Sequence, residues 1–525
     1  MLFVAKVDFN DNWLPHLKNS VPQSAFGYTV SMYSVALEGW RRGLRLKFIN
    51  NNRTKAKIDY SLSDGDKEHF FSVTRGDAVP KSAISICVHK EKTKKYLRQN
   101  GVPTPKGNMF GATVTDEEII QYSHTIGYPV VVKPSDGTGG NGVIANIKDE
   151  NELKNALFYV RKTLGFSEVI LESHFHGEDY RIYVIDNKVI GGLKKIPANV
   201  IGDGKSTIKD LIKKKNNARN NTPAFYKRRI KIDQELHNIL KSKGYTLDSV
   251  PEKGTQVYLK TKNNISAGGD PVDVTDKLTA EIKDIAINAS RAIPGLIQCG
   301  VDIMVNTNSN TGVVLEVNSR PHITAQLYPW HGKARDIPKA IIDYYFPETT
   351  SKNFDMFPRY YFDFKSVFEN FQAGIIKEYV VPDIPKGDLQ ATRFIISGKL
   401  QGVNYEKWIQ KQARKLNIHG YVKSLNDGKI SVIASGKQKA INQFRTILKK
   451  EAPKRVRVKD VIEKERKSPI KIGFEIIQET SEIRNFSEKS KAVKTSYENK
   501  TNYSIRQDTS KDGYFPIALS NIVPK

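Results

Sequence analysis

Residues 127–143 read GYPVVVKPSDGTGGNGV. Gly127 and Pro129 punctuate the junction between two elements, and Val130, Val131 and Val132 form a β-branched run that predicts a buried strand. Lys133 interrupts the run where the strand should end. Gly137, Gly139, Gly140 and Gly142 follow, with Thr138 and Asn141 between them, and backbone N–H groups in such a loop can approach phosphate oxygens closely. A lysine leading into the loop supplies a point charge for the same oxygens. Alone, a glycine-rich loop is more often a plain hairpin, so the decision rests on what accompanies it.

Residues 299–328, CGVDIMVNTNSNTGVVLEVNSRPHITAQLY, predict two strands joined by a polar Asn/Thr/Ser/Gly turn. Glu316 and Asn318 are two apart and share a strand face, whereas Val313, Leu315 and Val317 should point the other way. An antiparallel partner can bring Asp302 to the polar face. Two carboxylates and an amide oxygen, with no His or Cys among them, are hard ligands that suit Mg2+, with Mn2+ as a substitute, better than zinc. An exposed sheet face with ordinary charges is the bland alternative. The metal reading is favoured because the glycine loop independently asks for phosphates, and phosphates ask for magnesium.

At 525 residues the chain should hold more than one domain. A formal net charge of +27 suits acidic partners, but the basic residues are scattered lysines and form no arginine stripe, so nucleic acid is not expected. Cys87 and Cys299 are the only cysteines, which implies no disulfide framework and fits a reducing, cytoplasmic setting. Lys6 and Asp8 interrupt the N-terminus too early for a signal peptide, and no apolar run is long enough to span a bilayer.

In chain order, Met1–Val7 is strand-like, residues 31–42 are helical in pattern and residues 44–49 form a strand, giving a small α/β unit over 1–88. Residues 90–99 predict a charged helix stopped by Asn100–Gly101. Thr115 should cap a helix that runs to Gly127. Asp149, with Glu152 three residues on, should cap another that runs to about Thr163. Residues 169–172 and 182–185 are strands, the second returning through an Asp186–Asn187 hairpin. Strands and helices alternate, so the body is α/β or α+β. Residues 350–388 read as a linker rich in aromatics, and 478–525 as a polar, disordered tail with one YFPIAL patch.

These motifs together resemble the ATP-grasp superfamily over residues 89–349, with residues 1–88 as its pre-grasp unit. KIPANVIGDGKST and NISAGGDPVDVTD are similar to the ligase modules of cyanophycin synthetases and bifunctional glutathione synthetases, and residues 322–347 lean toward the latter. The resemblance implies an ATP-dependent carboxylate–amine ligase that works through an acyl phosphate, with a small or peptidic acid and amine as substrates and a homo-oligomer as the assembly. It implies that Lys90 and Lys133 hold the α- and β-phosphates under a lid formed by residues 137–142. Backbone near Glu172 would read adenine, Asp179 would bind ribose, and Asp302, Glu316 and Asn318 would hold Mg2+. Lys195 and Arg181 are the candidates for the γ-phosphate. D-alanine ligase relatives place an arginine two residues before the metal-binding aspartate, where this chain has Gly300. Arg320 could meet a substrate carboxylate, and residues 266–270 (SAGGD) resemble a substrate-side loop. His322 and His331 are read as packed or surface histidines.

Residues 389–477 resemble an acylphosphatase, a ferredoxin-like fold. That family ends its phosphate cradle with an arginine and orients water with an asparagine; Glu406 and Ser424 stand at those positions here. The fold should be kept and the hydrolase chemistry lost. A non-catalytic ATP-binding protein and a basic nucleic-acid-binding protein are the alternative classes. The intact Lys133, Asp302, Glu316 and Asn318 argue against the first, and only net charge speaks for the second.

Overall fold

The computed structural model describes residues 12–51, 57–136, 141–350, 359–400 and 404–477. The strand expected at Met1–Val7, the loop glycines Gly137, Gly139 and Gly140 with Thr138, and the expected tail at 478–525 lie outside them.

The first body packs a helix, Thr29–Arg41, on a sheet formed by Arg45–Asn50, Ile58–Ser63, Glu68–Ser72 and Arg75–Gly76. Its fifth strand comes from far along the chain: Glu378–Val380 pairs antiparallel with Lys47, Phe48 and Ile49. The expected linker is therefore corrected from residue 359 on. Tyr360, Phe362, Phe364 and Phe371 are each at most 2% exposed and pack around Tyr33, Trp40 and Phe48. Aromatic side chains that bury this much area complete a core and do not idle in a connector.

The central body begins with α1 (Lys90–Gln99) and continues through β1 (Gly107–Phe110), α2 (Asp116–Ile126), β2 (Val130–Pro134), β3 (Ile144–Ile147), α3 (Glu150–Leu157) and β4 (Val169–Ser173). The four strands form one antiparallel sheet in the order β1-β4-β2-β3. Thr115 caps α2 reciprocally with Glu118, as the spacing predicts. Asp149 accepts from the Glu152 N–H at 2.9 Å, while the Glu152 carboxylate reaches back one residue further, to the Lys148 N–H. The helix after Asp149 continues beyond Leu157 as a wider π-helical turn to Thr163.

A second sheet follows, from β5 (Glu178–Ile185), β6 (Lys188–Ile196), β7 (Asp270–Asp273), β8 (Gln298–Asn306) and β9 (Thr311–Asn318), in the order β7-β6-β5-β8-β9 and antiparallel throughout. Between β6 and β7, α4 (Ile208–Asn221) contributes to a small separate core with Val200, Leu236 and Val257.

The third body is a βαββαβ unit made of β10 (Leu389–Lys399), α5 (Tyr405–Lys415), β11 (His419–Ser424), β12 (Ile430–Lys437), α6 (Gln438–Lys450) and β13 (Arg457–Glu465). An edge strand, β14 (Phe474–Ile477), lies parallel to β11. The fold is thus mixed α+β in three bodies. Among the described residues no helix is long and apolar enough to cross a membrane.

Candidate active site

The two central sheets each contribute a charged cluster. On the first, α1 places Lys90 and Lys94 on one helix face by their spacing of four, and β2 adds Lys133. Glu172, on β4 next to β2, is the hub: it accepts from Lys133 Nζ at 2.9 Å and pairs closely with Lys94. Lys94 and Glu172 are both 2% exposed. Lys90 Nζ donates to the Ser135 carbonyl at 3.0 Å, at the entry to the glycine loop. Burial, then the neighbouring Lys90, pushes Lys133 down to about 8, against the pull of Glu316 and Glu91. Burial, then the neighbouring Lys133, pushes the Lys94 pKa down as well. Sequence reading placed adenine recognition on the backbone near Glu172 and missed its side chain. It also missed Lys94, although the Lys90–Lys94 spacing within KEKTK carried the signal.

On the second sheet, Asp179 and Arg181 alternate with the buried Tyr180 and Ile182 along β5, so they share the face turned away from the core. Asp302 on β8 lies opposite Arg181 on one side and Glu316 on the other. Arg181 Nε and Nη2 donate to the two oxygens of Asp302 at 2.9 and 2.6 Å, a forked pair. Lys195 Nζ, from β6, donates to Asp302 at 2.9 Å and to Asp179 at 2.8 Å. Asp179, read from the sequence as a ribose ligand, sits one lysine away from Asp302 and orients that lysine. The Asn318 amide donates to Asp302 Oδ2 at 3.2 Å. Burial favours the neutral acid at Asp302, but Arg181 and Lys195 outweigh it and hold the carboxyl well below the usual range. At Asp179 burial wins over Lys195 and the pKa is raised.

Glu316 reaches this face by a device that the alternation did not reveal. Asp302 pairs with Glu316 but Ile303 pairs with Val314, so Leu315 is an extra residue, a β-bulge. The phase of β9 changes there. Val314 and Val317 are fully buried, while Val313 and Leu315, expected in the core, are only half-buried. Without the bulge Glu316 would share the face of Val314; with it, Glu316 and Asn318 both stand beside Asp302. Glu316 is exposed and has no hydrogen-bond or ion-pair partner among the described residues.

The donor set fits a hard divalent cation: two carboxylates and an amide, cross-strand neighbours, one ionised by its surroundings and one free. Among the described residues no group of three or more His, Cys, Asp or Glu competes with it as a metal site. Arg320 lies at the rim, its Nη1 donating to Ser72 Oγ at 3.1 Å. Of the glycine loop, Asn141 is exposed and Gly142 has φ +72°, with Pro134 Cγ 2.6 Å from where a Cβ would stand, so only glycine fits at 142. His322 is half-buried, and His331 is pushed down chiefly by burial.

The third body presents a different picture at its would-be phosphate cradle. Ser424 Oγ, at the end of β11, donates to Glu406 Oε1 at 2.5 Å, so the two replaced groups satisfy each other. A carboxylate there repels a phosphoryl group that a guanidinium would clamp. Benzoyl phosphate hydrolysis by the full chain should therefore stay at the uncatalysed rate, and the Glu406→Arg/Ser424→Asn pair should raise it. A wild-type rate typical of acylphosphatases would contradict this.

A two-sheet body that sets lysines from one sheet against carboxylates and cations from the other defines an ATP-grasp fold. Comparison with known proteins makes this specific. Residues 87–209 and 260–341 match the family described as RimK-like ATP-grasp domain, and 392–476 match acylphosphatase. The chain contains a RimK-like ATP-grasp domain followed by an acylphosphatase domain. Cyanophycin synthetase from Trichormus variabilis is 34% identical over 303 residues, 56% of this chain and 33% of that protein. The glutathione biosynthesis bifunctional protein GshAB from Desulfotalea psychrophila is 31% identical over 289 residues, 53% of this chain and 36% of the relative. The chain thus spans about a third of the length of these curated relatives. A bifunctional glutathione synthetase structure from Pasteurella multocida aligns with TM-score 0.48 and 24% identity, covering 62% of this chain and 44% of that one.

Proposed function

We propose that the chain is an ATP-dependent ligase that joins a small or peptidic carboxylate to an amine, releasing ADP and phosphate. The observation that carries this reading is the Arg181–Asp302–Lys195–Asp179 network beside a free Glu316, with Lys133 near enough for Glu316 to act on it. The names of the matched relatives support it. In this reading Lys90 and Lys133 hold the inner phosphates of ATP, and Lys94 and Glu172 fix Lys133 in place. Arg181 and Lys195 meet the γ-phosphoryl group and neutralise charge as the carboxylate attacks it. The amine then displaces phosphate from the acyl phosphate. Asp302, Glu316 and Asn318 would hold Mg2+, which supplies charge neutralisation at the phosphates when bound. Catalysis of this kind is mostly positioning and electrostatics. With Cys87 and Cys299 both free, the proposed setting is the cytoplasm. Phosphate release screened over acid–amine pairs tests the reading: ADP should accompany each phosphate, and stoichiometric AMP would overturn it.

The Lys133 environment adds a pH dependence. In the free protein Lys133 loses its proton near pH 8, about 8 being its depressed pKa. Nucleotide phosphates favour the charged lysine, so binding above that pH must take up a proton. Apparent ATP affinity should be insensitive to this group below its pKa and weaken by up to about tenfold per pH unit above it. Calorimetry in buffers of different ionisation enthalpy should show uptake approaching one proton at high pH; no uptake would contradict the assignment of Lys133 to the phosphates.

A further inference from the structure

Beside the network on the second sheet lies a group of arginines, of which Arg228, Arg320 and Arg75 have no ion-pair partner among the described residues. Arg228 follows α4 and stacks its guanidinium on the Tyr28 ring at 3.8 Å. Its Nη2 is sealed from solvent yet has no hydrogen-bond partner. Tyr28 lies 4.6 Å, ring to ring, from His322, whose Nδ1 is likewise sealed and unpartnered. Tyr28 also shares a hydrogen bond with Ser266 of the SAGGD loop, 2.9 Å. His322 is held neutral, down to about 4, by burial and then by Arg228, Arg320 and Arg181. Among the described residues, the side chains of Arg320 and Arg75 donate only to serine hydroxyls, Ser72 and Ser319. Of these guanidiniums only Arg181 pairs with a carboxylate, Asp302, among the described residues.

A chain of net charge +27 leaves many cations unpaired on its surface, but a guanidinium with a sealed, unsatisfied nitrogen is a different matter. Leaving such a group without a partner costs stability, which a ligand of opposite charge recovers. The fold does supply counter-ions a few residues away: Lys215 pairs with Asp270 at 2.7 Å. It also holds Arg228 in place. Arg219 is fully buried, and its Nε, Nη1 and Nη2 donate to the carbonyls of Arg228, Gly269 and Ile265 at 2.9, 3.1 and 2.8 Å. One guanidinium thereby ties the backbone under Arg228 to the loop that carries Ser266. Both arginines lie in residues 210–259, the stretch that interrupts the RimK-like match.

We infer that the acid taken by this site carries a second negative group besides the carboxyl that reacts, and that Arg228 selects it, with Arg219 as a positioning residue. The inference rests on the ligase reading for the place of the reacting carboxyl, which belongs with Arg181 and Lys195. Arg228 lies beyond them, across Tyr28 and His322, where that carboxyl would leave it unpaired.

Two readouts separate the inference from the ligase reading. The first is calorimetric binding, to the full chain with ADP and Mg2+, of acidic amino acids and acidic dipeptides, each paired with its side-chain amide. The second is ATP-dependent phosphate release on the same acids, with hydroxylamine as a generic amine. The doubly anionic member of a pair should bind at least tenfold more tightly. Arg228→Gln should weaken it by about 10- to 100-fold, mostly in KM and less in kcat, and erase the preference. Arg228→Lys should recover part of it, since charge returns without the fork. Binding with this preference but no phosphate release would uphold the subsite and overturn the ligase reading. Turnover with no preference, a preference that survives Arg228→Gln, or no binding by any acid would overturn the inference.

Discussion

Glu316→Gln should lower kcat/KM for ATP-dependent amide formation by roughly 1,000-fold or more, because a metal that stabilises several kcal/mol of transition-state charge loses an anionic ligand. The fold should not notice. Glu316 is exposed and has no partner among the described residues, and surface substitutions of that kind change stability by about 0.5 kcal/mol or less. Unchanged melting together with lost turnover is the expected pair of results, read by calorimetry and by phosphate release. Wild-type turnover in Glu316→Gln with Mg2+ would remove the proposed metal site.

The second large effect is on stability. Glu172→Gln leaves Lys94 and Lys133 without their shared counter-ion, and Lys94 is only 2% exposed. Removing one partner of a buried ion pair costs about 3–5 kcal/mol, whereas replacing both partners by neutral groups of similar shape is often nearly neutral. Glu172→Gln should therefore lower the first thermal transition by several degrees, and the Glu172→Gln/Lys94→Met double variant should restore most of the loss. A single variant as stable as wild type would mean that the pair is solvated and that Glu172 does not organise the lysines.

What could be read in the sequence was local. The helix at Lys90–Gln99 ends where Asn100–Gly101 predicts, and the Thr115 cap and the Asp186–Asn187 turn follow from spacings of a few residues. The bulge at Leu315 could not be read, because VVLEVN also satisfies a regular strand and only the partner strand shows the extra residue. Lys94 and Glu172 meet across 78 residues of sequence, and Glu378–Val380 joins a strand more than 300 residues earlier. Arg228 and Tyr28 are likewise distant. In each case the burial that gives the charge its meaning is a property of the fold, and an aromatic segment such as 359–364 looks the same in a linker as in a core until its neighbours are known.

The central claim is that a carboxylate attacks the γ-phosphorus of ATP in front of Arg181, Lys195 and Asp302. Supplying the acid with both carboxyl oxygens as 18O, and reading the released phosphate by 31P NMR, tests it at the bond that forms. The account predicts one 18O in each phosphate and ADP as the other product. Unlabelled phosphate, or label recovered in AMP, would contradict it.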